Sequence, residues 1–483
     1  MKAHKLGQTV ALLLWVFACN IPDVCKTDDD CPSHAFCYSG EKAKAGDRGI
    51  CVSKEPVYKE PVIHSFSPLE AAHGAILRIQ GEGFSSNPSE NSVTLNGVSA
   101  EVLFASSNTI GIQVPKNMRC AGPIQVRTGE GVATSTSSFL YLPTATVSTF
   151  AGNGTTEFKD GIGTEAQFYF PNNLALNSEG TLYVTDTNNN RVRKISPETR
   201  EVTTVTHSGG VCLKGQSTGM HCPNGLAIDA QDKLYVAYYF SHRIQTFLPN
   251  GEEERAFAGS NTQGFLDANG TDARFDHPDG IVLDKAGNLY VADSHNHRIR
   301  KITQEGEVST FAGSGEVGEN NGDYADGPEN TARFNKPNGI TIDAEAHLYV
   351  SDAGNNCIRK VLPDGSVHTL AGCGKASFLD GPGNVACFHS PQGMAMDGRN
   401  GYLYVSDSYN HRIRMLTPTG EVRTLAGGGI TGTLDAQKLS ANHVNGIGGD
   451  ARFYNPHGIV MDAEGNLYVA DSSNHRIRKI VLE

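Results

Sequence analysis

From Thr144 onward, apolar and polar residues alternate in short runs such as LYVAD and RIRKI, separated by Gly, Asn and Asp. A period of two predicts strands with one buried face, and the Gly-Asn and Asp breaks predict tight turns. The same order recurs: PxGI, an Asp, a GNLYVAD-like run, NHRIRK, then GxVxTLAG. Six copies begin at Pro171, Pro223, Pro278, Pro337, Pro391 and Pro456, with separations of 52 to 65 residues. Each copy is long enough for four strands and three turns. A repeat of this length and alternation predicts four-stranded sheets stacked around an axis, a six-bladed β-propeller in an all-β protein. The sixth copy ends at HRIRKIVLE without GxVxTLAG, while an unattached VSTFAG stands at 147–152. That early strand is expected to complete the last blade and remove an exposed sheet edge.

Ahead of the repeats, residues 61–143 show apolar runs broken by Gly, Asn and Pro, the pattern of a small antiparallel sandwich. The order SFSP, GAILRIQGEGF, VTLNG, IQVP and GPIQVRT resembles the immunoglobulin-like IPT/TIG domain over its whole length. Such domains serve as spacers or binding modules, and the resemblance implies that this one holds the following region away from a membrane. The six copies resemble the NHL repeat family over residues 144–483. The bacterial form is especially close, because linkers such as FLDANGTDARFDHP and YADGPENTARFNKP precede the next PxG. The second copy departs from the pattern, with AYYFSHRIQ where others have ADSHNHRIR, and with CPNG entered without an ARF-type linker. The resemblance implies a rigid NHL-type scaffold used for binding, with a minority of related propellers acting as metal-dependent lyases or hydrolases.

The first residues, MKAHKLGQTVALLLWVFACN, combine basic Lys2 and Lys5 with a short apolar run and Ala18 before Cys19, the form of an export signal. Val16-Phe17-Ala18-Cys19 resembles a bacterial lipobox in which Cys19 receives lipid. Ordinary cleavage after Ala18 is the alternative. The apolar run is too short to span a bilayer, so membrane attachment is expected through the N-terminal lipid alone. The chain is accordingly read as 1–19 signal peptide, 20–60 Cys-rich segment, 61–143 sandwich and 144–483 propeller, exported to the bacterial cell envelope and anchored at the outer membrane. Cys25, Cys31, Cys37 and Cys51 crowd a polar segment with few apolar residues, and two disulfides are expected to staple it. Cys212 with Cys222, and Cys373 with Cys387, are placed to clip loops. Cys120 and Cys357 have no evident partner.

Charge and composition narrow the function. Forty Lys and Arg against 52 Asp and Glu give a net charge of −12, unlike a nucleic-acid binder. Neither a GxSxG elbow, a phosphate-binding loop, an HExxH helix nor a dinucleotide fingerprint is present. Asp186, Asp293, Asp352, Asp407 and Asp471, with Arg191, Arg298, Arg412 and Arg476, recur in nearly every copy. Catalysis needs unlike groups converging on one point, so this periodic set is read as turn-capping framework, as are His242, His297, His411 and His475.

The position after the repeat proline differs from copy to copy: Asn172, Asn224, Asp279, Asn338, Gln392 and His457. These residues should face the mouth of the central channel, where a polar ring suits a small ligand, water or weakly held Ca²⁺. Zinc is disfavoured, because His221, His277, His389 and His457 stand at unequal offsets from their prolines. The acidic-glycine linkers at Lys159, Asp326 and Asp380 lack calcium-loop spacing and read as ordinary turns. Tyr238, Tyr239 and Phe240 place aromatics where other copies have polar turn residues, an expected recognition surface. The long loop 427–449 is a second such surface. The reading is a non-enzymatic surface lipoprotein binding protein or glycan partners, with no cofactor expected. The alternative is a metal-dependent lyase- or lactonase-like enzyme using the channel mouth.

Overall fold

A computed structural model describes residues 59–116, 122–206, 222–428 and 443–483, with the backbone of three short strands at Val24–Cys25, Ala35–Tyr38 and Gly49–Ser53. Those three strands pair antiparallel and set Cys37 opposite Cys51. Cys19, where lipidation is expected, and Cys120 lie outside the described residues, as do His221 and most of the loop expected at 427–449.

Residues 61–141 form the expected sandwich. Strand Val98–Ala105 pairs with Ser92–Leu95 on one side and Thr109–Gln113 on the other, so it belongs to both sheets. Alternating side chains fill the space between them, with Leu77, Ile79, Ile110, Ile112 and Val126 wholly buried. The sandwich leads into the propeller through Leu140 and Leu142, which pack on the core shared by blades 5 and 6. Arg423 of the fifth blade reaches back to Glu70, with nitrogen–oxygen distances of 2.7 and 2.6 Å.

The propeller has six blades, each built outward from a strand that opens on the repeat proline. In blade 3 these strands are Pro278–Leu283, Leu289–Asp293, Arg298–Ile302 and Val308–Ala312, paired antiparallel in chain order. Blade 6 takes its outer strand from Ala145–Ala151, which runs antiparallel to Arg476–Leu482, so the early strand closes the ring as expected. Blades 1, 5 and 6 each gain a two-residue fifth strand from the linker.

Adjacent innermost strands approach so closely that in blades 2 to 6 the glycine of PxG is a steric requirement, whereas blade 1 carries Asn173 there. A Cβ on Gly339 would lie 2.2 Å from the Gln392 carbonyl oxygen, and one on Gly280 would lie 2.4 Å from that of Asn338. The residue after each proline is thereby pressed against the neighbouring blade at the axis.

Candidate functional site

The periodic residues resolve into a frame. In five blades the Asp closing the second strand is fully buried and accepts three hydrogen bonds. For Asp293 the donors are the backbone N–H of Asp276 at 2.8 Å, Asn296 Nδ2 at 2.8 Å and Arg300 Nη1 at 2.7 Å. Its arginine partner is seven residues on: Arg193, Arg300, Arg359, Arg414 and Arg478, at 2.6 to 2.8 Å. These arginines carry the pairing, while Arg191, Arg298, Arg412 and Arg476 donate to the turn carbonyls of Asn189, Asn296, Asn410 and Asn474, as their expected turn-capping role requires. The two arginines of RIR share one face of the strand, but the first lies opposite the Asp at the turn and donates to a turn carbonyl, Arg298 to Asn296, which leaves the second to reach the buried carboxylate. The guanidinium of Arg300 lies 4.8 Å from the Phe265 ring and 5.1 Å from that of Phe275, which gives the ARF motif of the linker its role. The linker acids are spent in the same frame. Asp326 binds Arg359 at 2.7 Å and the Thr369 amide at 3.0 Å, and Asp380 binds Arg414 and Thr424 alike, as ordinary turns require.

The periodic histidines form an interblade latch. Asn190, His242, His297, Asn356, His411 and His475 all sit in the left-handed region, with φ between 51° and 57°. Each accepts a hydrogen bond from the backbone N–H before the next blade's proline. His242 Nδ1 takes that of His277 at 3.1 Å, Asn356 Oδ1 that of Ser390 at 2.9 Å, and His475 Nδ1 that of Phe170 at 3.2 Å, closing the circle. An Nδ1 that accepts belongs to a neutral imidazole. Burial accordingly pulls His242 and His411 down to about 4, helped by the charges of His277 and Arg412 respectively.

Against this frame the residues after the prolines stand out. Asn224, Asp279 and Asn338 meet at the axis, where Asn338 Nδ2 donates to Asp279 Oδ2 at 2.6 Å and Asn224 also hydrogen-bonds that carboxyl. Asp279 is only 4% exposed, and burial pushes it up to about 6 against those two hydrogen bonds. His457 is held neutral by desolvation, at about 4. Gln392 turns instead to Ser390 Oγ at 3.2 Å, and Asn172 is half-buried. Three of the six ring residues thus form one hydrogen-bonded constellation.

Beside Asp279, blades 2 and 3 build a cluster of rings. Tyr239 lies 4.4 Å from His277 and 5.0 Å from Phe240, and His277 lies 4.1 Å from His295, between centroids. His277 Nδ1 is 2.6 Å from Asp276 Oδ1, and the Tyr239 hydroxyl shares a 3.2 Å hydrogen bond with His295 Nε2. Burial first, then the charge of Asp279, raises the Tyr239 phenol. Phe240 is 39% exposed and tops the cluster.

Tyr238 corrects the expected aromatic surface. It is buried inside blade 2, in the place held elsewhere by the framework Asp, and Gln245 occupies the place of the buried Arg. Both partners of the ion pair are replaced together, which avoids an uncompensated charge. Of the three aromatics, only Tyr239 and Phe240 remain at the surface. Two cavities, one of about 420 Å³, lie elsewhere, at the junction of the sandwich with blades 5 and 6. Cys373 and Cys387 are disulfide-bonded as expected; Cys222 is also disulfide-bonded, and its expected partner Cys212 lies outside the described residues. Cys357 is free and buried.

Sequence comparison matches residues 61–141 to the IPT/TIG domain, 334–361, 388–415 and 453–480 to the NHL repeat, and 145–327 to the Teneurin NHL domain. The human NHL repeat-containing protein 2 is 28% identical over 351 residues, 67% of this chain and 40% of that protein. Protein SUPPRESSOR OF QUENCHING 1 of Arabidopsis thaliana is 32% identical over 228 residues, 46% of this chain and 21% of that protein. The chain thus spans two fifths or less of these relatives' lengths. Among solved structures, a Bacteroides thetaiotaomicron protein of unknown function superposes with a TM-score of 0.55 at 21% identity, covering 89% of this chain and all of its own. An auxiliary nutrient binding protein of the same organism gives 0.53 at 21% identity, over 88% and 98%. The chain carries NHL repeats and an IPT/TIG domain on a six-bladed propeller.

Proposed function

We propose that this chain is an exported, non-enzymatic binding protein whose propeller recognises a glycan at the channel mouth. In this reading the IPT/TIG domain is its stem and lipid on Cys19 its anchor in a bacterial envelope. The observation that carries the reading is the meeting of an aromatic surface, Tyr239 and Phe240, with the planar polar groups of Asn224, Asp279 and Asn338. Apolar ring faces beside a few fixed donors and acceptors suit a polyhydroxylated ligand, which stacks its C–H face and hydrogen-bonds its hydroxyls. The description of a structural neighbour as an auxiliary nutrient binding protein accords with a binding role. The one acidic group of the ring is hydrogen-bonded by two carboxamides, an arrangement suited to recognition more than to proton transfer.

The test is calorimetric titration of the full chain with a panel of neutral and acidic oligosaccharides. At least one should bind, with affinity reduced about tenfold by Phe240→Ala and by Asp279→Asn, since each removes roughly 1.4 kcal/mol or more of stacking or hydrogen bonding. Saturable binding unaffected by either substitution, or no binding across the panel, would refute the mouth as a glycan site.

A further inference from the structure

The six blades are six answers to one structural problem, so they separate what the fold needs from what it does not. Two residues before the proline stand Tyr169, Asp276, Asn335, His389 and Tyr454 in the blades described there; immediately before it stand Phe170, Cys222, His277, Lys336, Ser390 and Asn455. Two residues past the framework position stand Asn188, Phe240, His295, Gly354, Tyr409 and Ser473. The fold accepts almost any side chain at all three positions. Blade 3 fills them with a carboxylate and two imidazoles, and the structure brings the three together.

Asp276 Oδ1 lies 2.6 Å from His277 Nδ1 and 3.8 Å from His295 Nδ1. Ligands held at the ~2.0–2.2 Å bond lengths of a tetrahedral zinc site stand about 3.4 Å apart, and these two separations bracket that value. The outer partners are also in place. Gln263 Nε2 donates to Asp276 Oδ2 at 3.0 Å and fixes the carboxylate, and the Tyr239 hydroxyl engages His295 Nε2, so that the tautomer donating from Nε2 turns the Nδ1 lone pair toward Asp276. The nearby cation, Lys336, is paired with Glu319 at 3.3 Å. The His277 and His295 side chains remain 14% and 10% exposed, which leaves an ion a way in.

His242 also brings a ligand atom within 4.8 Å of Asp276 and His277. Its Nδ1, however, accepts the His277 amide in the latch, which places its proton on Nε2 and leaves no lone pair for a metal.

We infer that Asp276, His277 and His295 form a binding site for a divalent transition metal of the zinc class on the rim between blades 2 and 3. Two imidazoles and one carboxylate favour Zn²⁺, Co²⁺ or Ni²⁺ over the oxygen-seeking Ca²⁺ and Mg²⁺. The inference does not rest on glycan recognition at the mouth, because none of its ligands belongs to the axial ring.

The test is titration of the full chain, purified without a histidine tag and stripped with chelator, using Zn²⁺ by calorimetry and Co²⁺ by visible absorption. One ion per chain should bind, with Co²⁺ giving the intense band of a four- or five-coordinate site. Asp276→Asn, His277→Ser and His295→Ser each install a residue that a sister blade already carries at that position, so the variants should melt close to the parent. Each should weaken binding by about a hundredfold or more, and Gln263→Ala by about tenfold. His242→Asn, the latch residue of blades 1 and 4, should leave both affinity and spectrum unchanged. Absence of saturable Zn²⁺ or Co²⁺ binding, an unchanged affinity in His295→Ser, or loss of the site in His242→Asn would overturn the assignment.

Discussion

Asp293 and Arg300 lie wholly inside blade 3, where withdrawing two charges from water costs more than their attraction returns unless the remaining lone pairs and N–H groups are also satisfied. The frame does most of this: Asp293 accepts three hydrogen bonds, and Arg300 reaches Asp267 and the carbonyls of Leu266 and Arg274 as well, leaving its buried Nε without a partner among the described residues. Burial still pushes Asp293 up to about 6, so it is ionised near neutrality. Arg300→Gln alone should therefore cost about 3–5 kcal/mol in urea unfolding, the penalty for a stranded buried charge. Combining it with Asp293→Tyr, the pair found in blade 2, should restore at least half of that loss. An equal or larger loss in the double variant would show that the frame is not a self-contained pair. The sequence displayed the Asp plainly because it ends a recognisable strand. It concealed the arginine because RIR offers two on the same face of the strand, and only the folded turn shows that the first is spent on a carbonyl and the second on the Asp.

At the scale of single elements, the latch turn joins each second strand to the next blade through one side chain. The hydrogen bond requires a neutral imidazole, and burial accordingly lowers His242, His297, His411 and His475 below their ordinary value. For a group whose folded value is depressed in this sense, the unfolded chain takes up the proton first. The contribution is intact above ~6.5 and is lost as pH falls toward about 4. Asp279, Asp293 and Asp352, raised by burial to about 6, act oppositely and lose stability as pH rises from ~3.8 to about 6. The histidine part is isolated by difference. His411→Asn keeps the latch acceptor, as Asn356 does, and should unfold with a shallower loss of stability between pH 6.5 and 4, corresponding to uptake of up to one proton fewer. Parallel pH profiles for parent and variant would contradict it. The histidines were visible as a periodic feature, yet their role was not, because the partner is the backbone of another copy 35 to 44 residues ahead, or across the closure. The blade 3 cluster was hidden for a related reason. His277 was noticed only by its distance from a proline, whereas its companion His295 lies across the innermost hairpin.

For the molecule as a whole, repeat phase and the unattached VSTFAG were enough to foresee six blades and their closure, because strand alternation and an unpaired edge are properties of local sequence. The sandwich was equally legible from its own alternation. The contacts that set one domain on the other were not, since Glu70 and Arg423 are ordinary surface residues until the fold joins them. Closure itself can be tested. Val147 is buried and lies opposite Ile480 in the closing sheet. Val147→Pro should remove a ladder hydrogen bond and a core side chain, lower stability by about 3 kcal/mol or more, and expose an edge that promotes self-association in size-exclusion chromatography. An unchanged melting temperature would mean that the ring is held without this strand. The closure also fixes an order of events. Thr146 pairs with Val481, more than three hundred residues later. As the chain is synthesised, the strand needed to finish the molecule is among the first parts of the propeller to exist and the last to be used. Contacts between such distant segments form slowly. During that interval blades 1 to 5 can assemble while the ring stays open, so the sandwich tethered to the waiting strand travels with one half of an unmade joint until the final hairpin arrives.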